Sequence, residues 1–326
     1  MKLSTVASGS RDGRLVVVSR DHARAALADG IAATLQEALE CWTDVEGALR
    51  DLATEVDAGT APGLAPQSAW QFLAPLPRAW QWLDGSAFES HGALMAKVFK
   101  MDPAPRDRPL MYQGMSDRFY AATEKVPFVT EADGIDFEGE FGVIVDEVPL
   151  GCGPHEAAAH IRLVVQINDW SLRNLAPIEM RTGFGWVQAK PACSMAPVAV
   201  TPDELGAAWR DGRVDLPLEV YWNGALFGRA NGHAMSFSFP ELVAHAARTR
   251  SLCAGTIIGS GTVSNPNYRD VGSSCIAERR GIEILDEGKA WTAFMSFGDR
   301  VRMEARSDSG QPLFGAIDQQ VVRART

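Results

Sequence analysis

Cysteine is scarce in this chain. Its five residues, Cys41, Cys152, Cys193, Cys253 and Cys275, are scattered through 326 positions and never form a C-x-x-C pair. Neither a disulfide framework nor a zinc knuckle is indicated, and reduced, mostly buried thiols are expected. Positive charge is also short, with 31 Lys and Arg against 41 Asp and Glu and a formal net charge of −10. That balance excludes the broad positive field that nucleic acid or an anionic membrane requires of its partner. No uninterrupted apolar run is long enough to span a bilayer, and the segment Met1–Ser10 lacks the apolar core of a signal peptide, so a cytoplasmic protein is expected. Internal repeats and low-complexity tracts are missing too, which removes solenoids and propellers.

What is present is the composition of a globular protein, 46% apolar and 22% charged. Leu15–Val18 follows Arg11-Asp12-Gly13 as a turn and strand. Ile31, Leu35, Ala38, Leu39 and Trp42 recur at helical spacing within 31–56. The Gly/Pro/Ala-rich run 58–66 sustains neither period and reads as a linker, so the main domain is expected to start near Phe72. Beyond it, strand signals dominate: Phe141–Val145, a helix over 155–165 running into a strand that ends at Asn168, and a hairpin around Asn223-Gly224. Ser238, Pro240 and Glu241 form a capping-box start for a helix over 239–250, and 275–303 reads as two or more further strands. The fold class expected is α+β and β-rich, not a doubly wound nucleotide fold.

The chemistry concentrates in Asp136-Phe137-Glu138-Gly139-Glu140-Phe141, then Asn168-Asp169-Trp170-Ser171-Leu172-Arg173, then Lys190. In a strand, residues i and i+2 share a face, so Glu138 and Glu140 present two carboxylates together while Phe137 and Phe141 pack behind. Adjacent like charges need a cation. Asp169 supplies a third carboxylate for an all-oxygen cage suited to Mg²⁺, Mn²⁺ or Ca²⁺, beside which Arg173 and Lys190 are placed to hold an anionic substrate.

These motifs, with Ser260-Gly261-Thr262-Val263-Ser264 and Phe297-Gly298-Asp299-Arg300-Val301 following in order, resemble the fumarylacetoacetate hydrolase family over roughly residues 75–326. The resemblance implies a mixed β-sandwich roll (73–326) preceded by a small N-terminal α/β domain (1–72), assembled as a homodimer. Longer members, the fumarylacetoacetases of tyrosine breakdown, carry a further metal-binding Asp with a catalytic His seven residues after it, a spacing matched here by Asp84 and His91. The implied divalent-metal ligands are then Asp84, Glu138, Glu140 and Asp169, with His91 as general base and Arg173 and Lys190 as donors to substrate and reacting oxygens. Tyr112 and Thr262 match substrate-contacting positions. Glu278, two residues beyond the position aligned with the family's His-orienting Glu and expected on a strand, takes that role. Ala176 stands where the long members have Gln, with Gln188 the neighbour placed to substitute.

The implied activity is metal-dependent hydrolysis of a C–C bond in a small anionic 1,3-diketo acid, fumarylacetoacetate first among them. Fumarylpyruvate or another acylpyruvate is the nearest rival substrate, and hydration or decarboxylation on the same cage is the rival chemistry. A non-catalytic metal-binding protein is the reading from a different class.

Overall fold

The computed structural model of the chain describes residues 1–100, 107–307 and 309–325. Gly139–Val145 is buried at all seven positions. A strand apolar on both faces belongs inside a covered sheet, and this one is flanked antiparallel by Ile161–Asn168 on one side and Ile257–Gly259 on the other. Outward from Ile257–Gly259 come Trp82–Gly85, in parallel, and Met111–Gly114. Outward from Ile161–Asn168 come Ala199–Val200 and then Lys2–Val6, Arg14–Val18, Arg24–Leu27 and Ala65–Pro66. The N-terminal strands therefore extend the same eleven-stranded sheet that carries the acidic motif.

Helices Leu35–Glu40 and Trp42–Ala58 pack Leu35, Leu39, Trp42 and Leu49 with Leu3, Val17, Ile144 and Leu163 of this sheet. A second sheet, ordered Ala225–Asn231, Pro217–Trp222, Arg300–Ala305, Ile317–Arg323 and Val126–Phe128, shares the other core with Phe141, Val143 and Val164. Gln166, fully buried, clips the two together by donating to Met303 O (3.0 Å) and accepting from Ala305 N (2.9 Å). Phe137 packs on Trp222 and Phe227, and Phe141 on Phe314, so the aromatic residues of the acidic motif face this interior as expected.

Several local readings hold. Asn223 and Gly224 both adopt positive φ (50° and 82°), the requirement of the tight hairpin turn between Pro217–Trp222 and Ala225–Asn231. The capping box of Ser238 and Glu241 is formed, although its helix, Phe239–Ala247, ends three residues sooner than expected. Within the expected linker, Gly59 closes the preceding helix at φ 80° and Ala65–Pro66 pairs with Arg24–Ala25.

Two readings are corrected. The helix over 155–165 shrinks to Pro154–Ala157 and a 3-10 turn, because the β-branched residues from Ile161 onward already belong to the buried strand. The stretch 275–303 holds a helix, Ile276–Glu287, in place of strands, with only the strand Arg300–Ala305 starting near its end. Cys275 caps that helix, the Asp136 carboxylate accepts the N–H groups of Ile276 and Ala277 (2.7 and 2.9 Å), and Gly288 ends it in a left-handed turn. An acidic group at a helix N-terminus satisfies donors that the helix leaves free. Glu278 thus sits in the first turn of a helix, not on a strand.

Candidate metal and catalytic site

The register Gly139↔Asn168 and Glu140↔Ile167 sets the start of the strand Gly139–Val145 against the end of Ile161–Asn168, and Asp169 N then donates to Glu138 O (2.9 Å). Asp84 arrives from the strand on the far side of Ile257–Gly259. Ligand oxygens of Asp84, Glu140 and Asp169 all lie within 4.8 Å of one another, and all three residues are buried. Asp84 Oδ1 accepts Gly261 N (3.1 Å). A Cβ at Gly261 would run into the Gly85 carbonyl, and one at Gly259 into the Trp82 ring and the Asp84 carboxylate, so glycine lets this loop approach.

Glu140 is fully buried, and neither of its carboxylate oxygens has a hydrogen-bond partner. A buried polar group left in that condition is costly unless something supplies the missing interaction. Three converging carboxylates, one wholly unpartnered, fit a hard divalent cation such as Mg²⁺, Mn²⁺ or Ca²⁺.

Glu138 is arranged differently. Its Oε1 accepts from Lys190 Nζ (2.5 Å) and Ser171 Oγ (2.5 Å) and lies 3.0 Å from Arg173 Nη2, while Oε2 accepts from the Thr262 hydroxyl. Burial pushes the Glu138 carboxyl up, but Arg173 and Lys190 overcome this and hold it well below its ordinary range. Lys190 also donates to Asp169 Oδ2 (2.5 Å), which accepts from Tyr112 OH (2.5 Å) as well; Cys193 Sγ donates to Asp169 Oδ1 (2.9 Å). Burial opposes the charge on Lys190, and Asp169 and Glu138 more than restore it, raising its pKa. Tyr112 and Thr262, expected to touch substrate, thus direct their hydroxyls to carboxylates of the cage region. Trp186 packs edge-on against the Tyr112 ring at 6.0 Å. Gln188 is exposed, and its backbone N–H is held by Glu179 (2.9 Å).

His91 lies in the first turn of the helix Glu89–Phe99, and its buried Nδ1 faces Glu278 Oε1 at 3.6 Å, an ion-pair distance longer than a hydrogen bond. Sequence reasoning brought these two together from different segments, although the element carrying Glu278 differs. It gave no role to Asp136, which anchors Arg173 Nε (2.7 Å) and the helix N-terminus, nor to Ser171, Cys193 or Ser264. Asp136, Ser171 and Ser264 lay in plain view inside the quoted motifs, whereas the lone Cys193 has no local signal.

The electrostatics give a test. Burial, and then Asp169, push Asp84 up to about 8; burial, and then Asp84 and Asp169, push Glu140 well above its usual range. Carboxyls with raised folded-state pKa values stabilise the fold fully below their unfolded values, and that stability is lost as pH rises through the folded ones. His22, lowered by burial and Lys2 from 6.5 to about 4, has the opposite slope, but it is spent once pH exceeds 6.5. Metal-stripped protein is therefore expected to lose stability between pH 6.5 and about 8. A bound divalent cation, by displacing the protons, should reverse the slope. Urea midpoints across this range, with chelator and with Mn²⁺, measure both slopes; a metal-free midpoint that climbs with pH refutes the assignment.

Among the described residues, no helix is long and apolar enough to cross a membrane. Residues 81–322 match the family described as fumarylacetoacetate (FAA) hydrolase C-terminal, and residues 1–78 match fumarylacetoacetase N-terminal domain 2. A fumarylacetoacetase of Aspergillus fumigatus is 30% identical over 183 residues, 47% of this chain and 42% of that protein. An oxaloacetate tautomerase of Bacillus subtilis is 28% identical over 130 residues, 40% of this chain and 41% of that protein. The chain spans less than half the length of these two curated relatives. The crystal structure of maleylpyruvate hydrolase from Sphingobium sp. SYK-6, in complex with manganese(II) and pyruvate, superimposes with a TM-score of 0.66 at 16% identity, covering 100% of both chains.

Proposed function

This chain belongs to the fumarylacetoacetate hydrolase family, and from that premise we propose that it is a divalent-metal-dependent hydrolase that cleaves a C–C bond in a small 1,3-diketo acid. Fumarylacetoacetate, giving fumarate and acetoacetate, is the leading substrate, and fumarylpyruvate the second. The observation that carries this reading is the pairing of His91 with Glu278 in a structure that also holds the buried trio Asp84, Glu140 and Asp169.

Asp84, Glu140 and Asp169 would hold the ion, with Glu138 the fourth carboxylate beside them. Once bound, the ion supplies a Lewis acid that polarises the diketone oxygens. His91 does the work on water. With Nδ1 facing Glu278, Nε2 is left as the base that takes a proton, and the buried Glu278 carboxylate balances the imidazolium that results. The water oxygen adds to the acyl carbon, the C–C bond breaks, and the methylene carbon keeps the electron pair and takes up a proton. Lys190, charged and aimed into the carboxylate group by Glu138 and Asp169, is placed to stabilise the developing negative charge. Ala176 offers no donor at the position of the Gln of longer members, which leaves Lys190 and Arg173 as the cationic side chains beside the carboxylates.

Proton NMR of metal-stripped protein given fumarylacetoacetate and fumarylpyruvate, with and without Mg²⁺, tests the reading. Mg²⁺-restored fumarate plus acetoacetate is the expected result. Fumarate plus pyruvate keeps the chemistry and changes the substrate. Keto–enol interconversion accelerated above its spontaneous rate, with no bond cleavage, would replace hydrolysis by tautomerisation.

A further inference from the structure

Glu278 is completely buried, and its Oε2 has no hydrogen-bond partner. Among the described residues its one side-chain donor within hydrogen-bond range is Ser264, whose hydroxyl donates to Oε1 (2.5 Å). Ser264, itself 1% exposed, is in turn the acceptor for Ser90 Oγ (2.8 Å). A hydroxyl has a single proton to give, so the Ser90 contact on its acceptor side directs the Ser264 proton to Glu278. Ser90 precedes His91 on the same helix, Glu89–Phe99, while Glu278 opens the helix Ile276–Glu287. The two serines therefore tie together the two helices that carry the base and its carboxylate.

The segment holding Ser264 is itself fixed. Gly261 N binds Asp84, Thr262 binds Glu138, and Asn265 exchanges hydrogen bonds with Asn231 N and O (2.8 and 2.9 Å). A short loop thus touches the carboxylate group with its first half and the base pair with its second.

We infer that Ser264, backed by Ser90, is a positioning residue that holds the Glu278 carboxylate against His91 Nδ1, so that the imidazole presents Nε2 as the base. The inference rests on the assignment of His91 as general base. Without the hydroxyl, a buried carboxylate loses its donor and turns to find another, and the imidazole is then no longer held in one tautomer.

Nitrogen-15 NMR of histidine-labelled, Mg²⁺-loaded protein reads the tautomer without any substrate, and a His91→Ala spectrum assigns the signal among the six histidines. The wild type is expected to show His91 protonated at Nδ1, Ser264→Ala a mixture of tautomers, and Ser264→Thr the wild-type pattern. In turnover, Ser264→Ala should lower kcat about 10-fold, the loss of one hydrogen bond to a charged group, with KM and metal affinity unchanged. In a Glu278→Gln background the same change should cost nothing further, since the serine acts through the carboxylate. An unaltered His91 tautomer in Ser264→Ala, or an equal loss of kcat in the Glu278→Gln background, overturns the inference. Should Ser264→Ala fail to fold, Ser90→Ala removes the outer link alone and must shift the tautomer in the same direction. A tautomer that responds as expected in a protein that cleaves no diketo acid would uphold the positioning role and sink the hydrolase reading.

Discussion

Glu140→Gln is expected to give a folded protein at least as stable as wild type without metal, yet one that a divalent cation no longer stabilises and whose turnover has fallen by more than ~100-fold. Outer-shell partners of metal ligands already cost about 10–100-fold in affinity or activity when removed, and a direct ligand costs more. The unusual half of the expectation is the stability. Glu140 is buried without a partner and crowded by Asp84 and Asp169, which together with burial keep its pKa well above the ordinary carboxylate range. A neutral amide of the same shape cannot take on the charge that burial and these neighbours oppose. Wild type, by contrast, should gain about 2.7 kcal/mol from a cation at a hundred times its dissociation constant. Calorimetric melts with chelator and with Mn²⁺, read beside titration calorimetry, decide the matter. A Gln variant that still gains stability from Mn²⁺ would show that the cage lies elsewhere.

His91→Ala should split the two halves of the site in the other direction. Metal affinity and metal-induced stabilisation remain, while kcat falls by about 10²–10⁴, the usual contribution of a general base. His91 is held on its own helix and faces Glu278, and it donates to none of the cage carboxylates. Glu278 keeps its Ser264 donor in the variant, so no buried carboxylate is stranded and the fold is spared. Full turnover in this variant would mean that water is activated without the imidazole.

How far the sequence reveals this site depends on the range of each interaction. Phe137 and Phe141 pack behind the acidic motif as the alternation of a strand requires, and Glu140 lies on the strand Gly139–Val145, but Glu138 sits one residue before it. The Asp84 and His91 spacing likewise places its residues on a strand and the helix that follows it. What the pattern does not reveal is how the carboxylates divide. Glu140 stays bare, whereas Glu138 is taken up by Ser171, Arg173, Lys190 and Thr262, three from the Asp169 side and one from a loop more than a hundred residues away. The helix Ile276–Glu287 was misread because its isoleucines favour strand by propensity, while its N-terminal anchor, Asp136, lies far upstream in the chain. Ser264 and Cys193 acquire meaning only from partners that topology delivers.

The sheet that joins Lys2 to Val200 and Leu3 to Ala199 also sets a clock. Synthesis at about 5–20 residues per second means that the first strand leaves the ribosome on the order of ten to forty seconds before its neighbour on that side exists. During that interval Lys2–Val6 pairs with Arg14–Val18 along one edge, and along the other only its far end is covered, by Phe72 beside Val6. The Lys2–Leu3 end of that other edge, buried in the finished protein, is open to an extended chain nearby. A chain interrupted short of Ala199 and Val200 would carry the Lys2–Leu3 end of this edge unpaired.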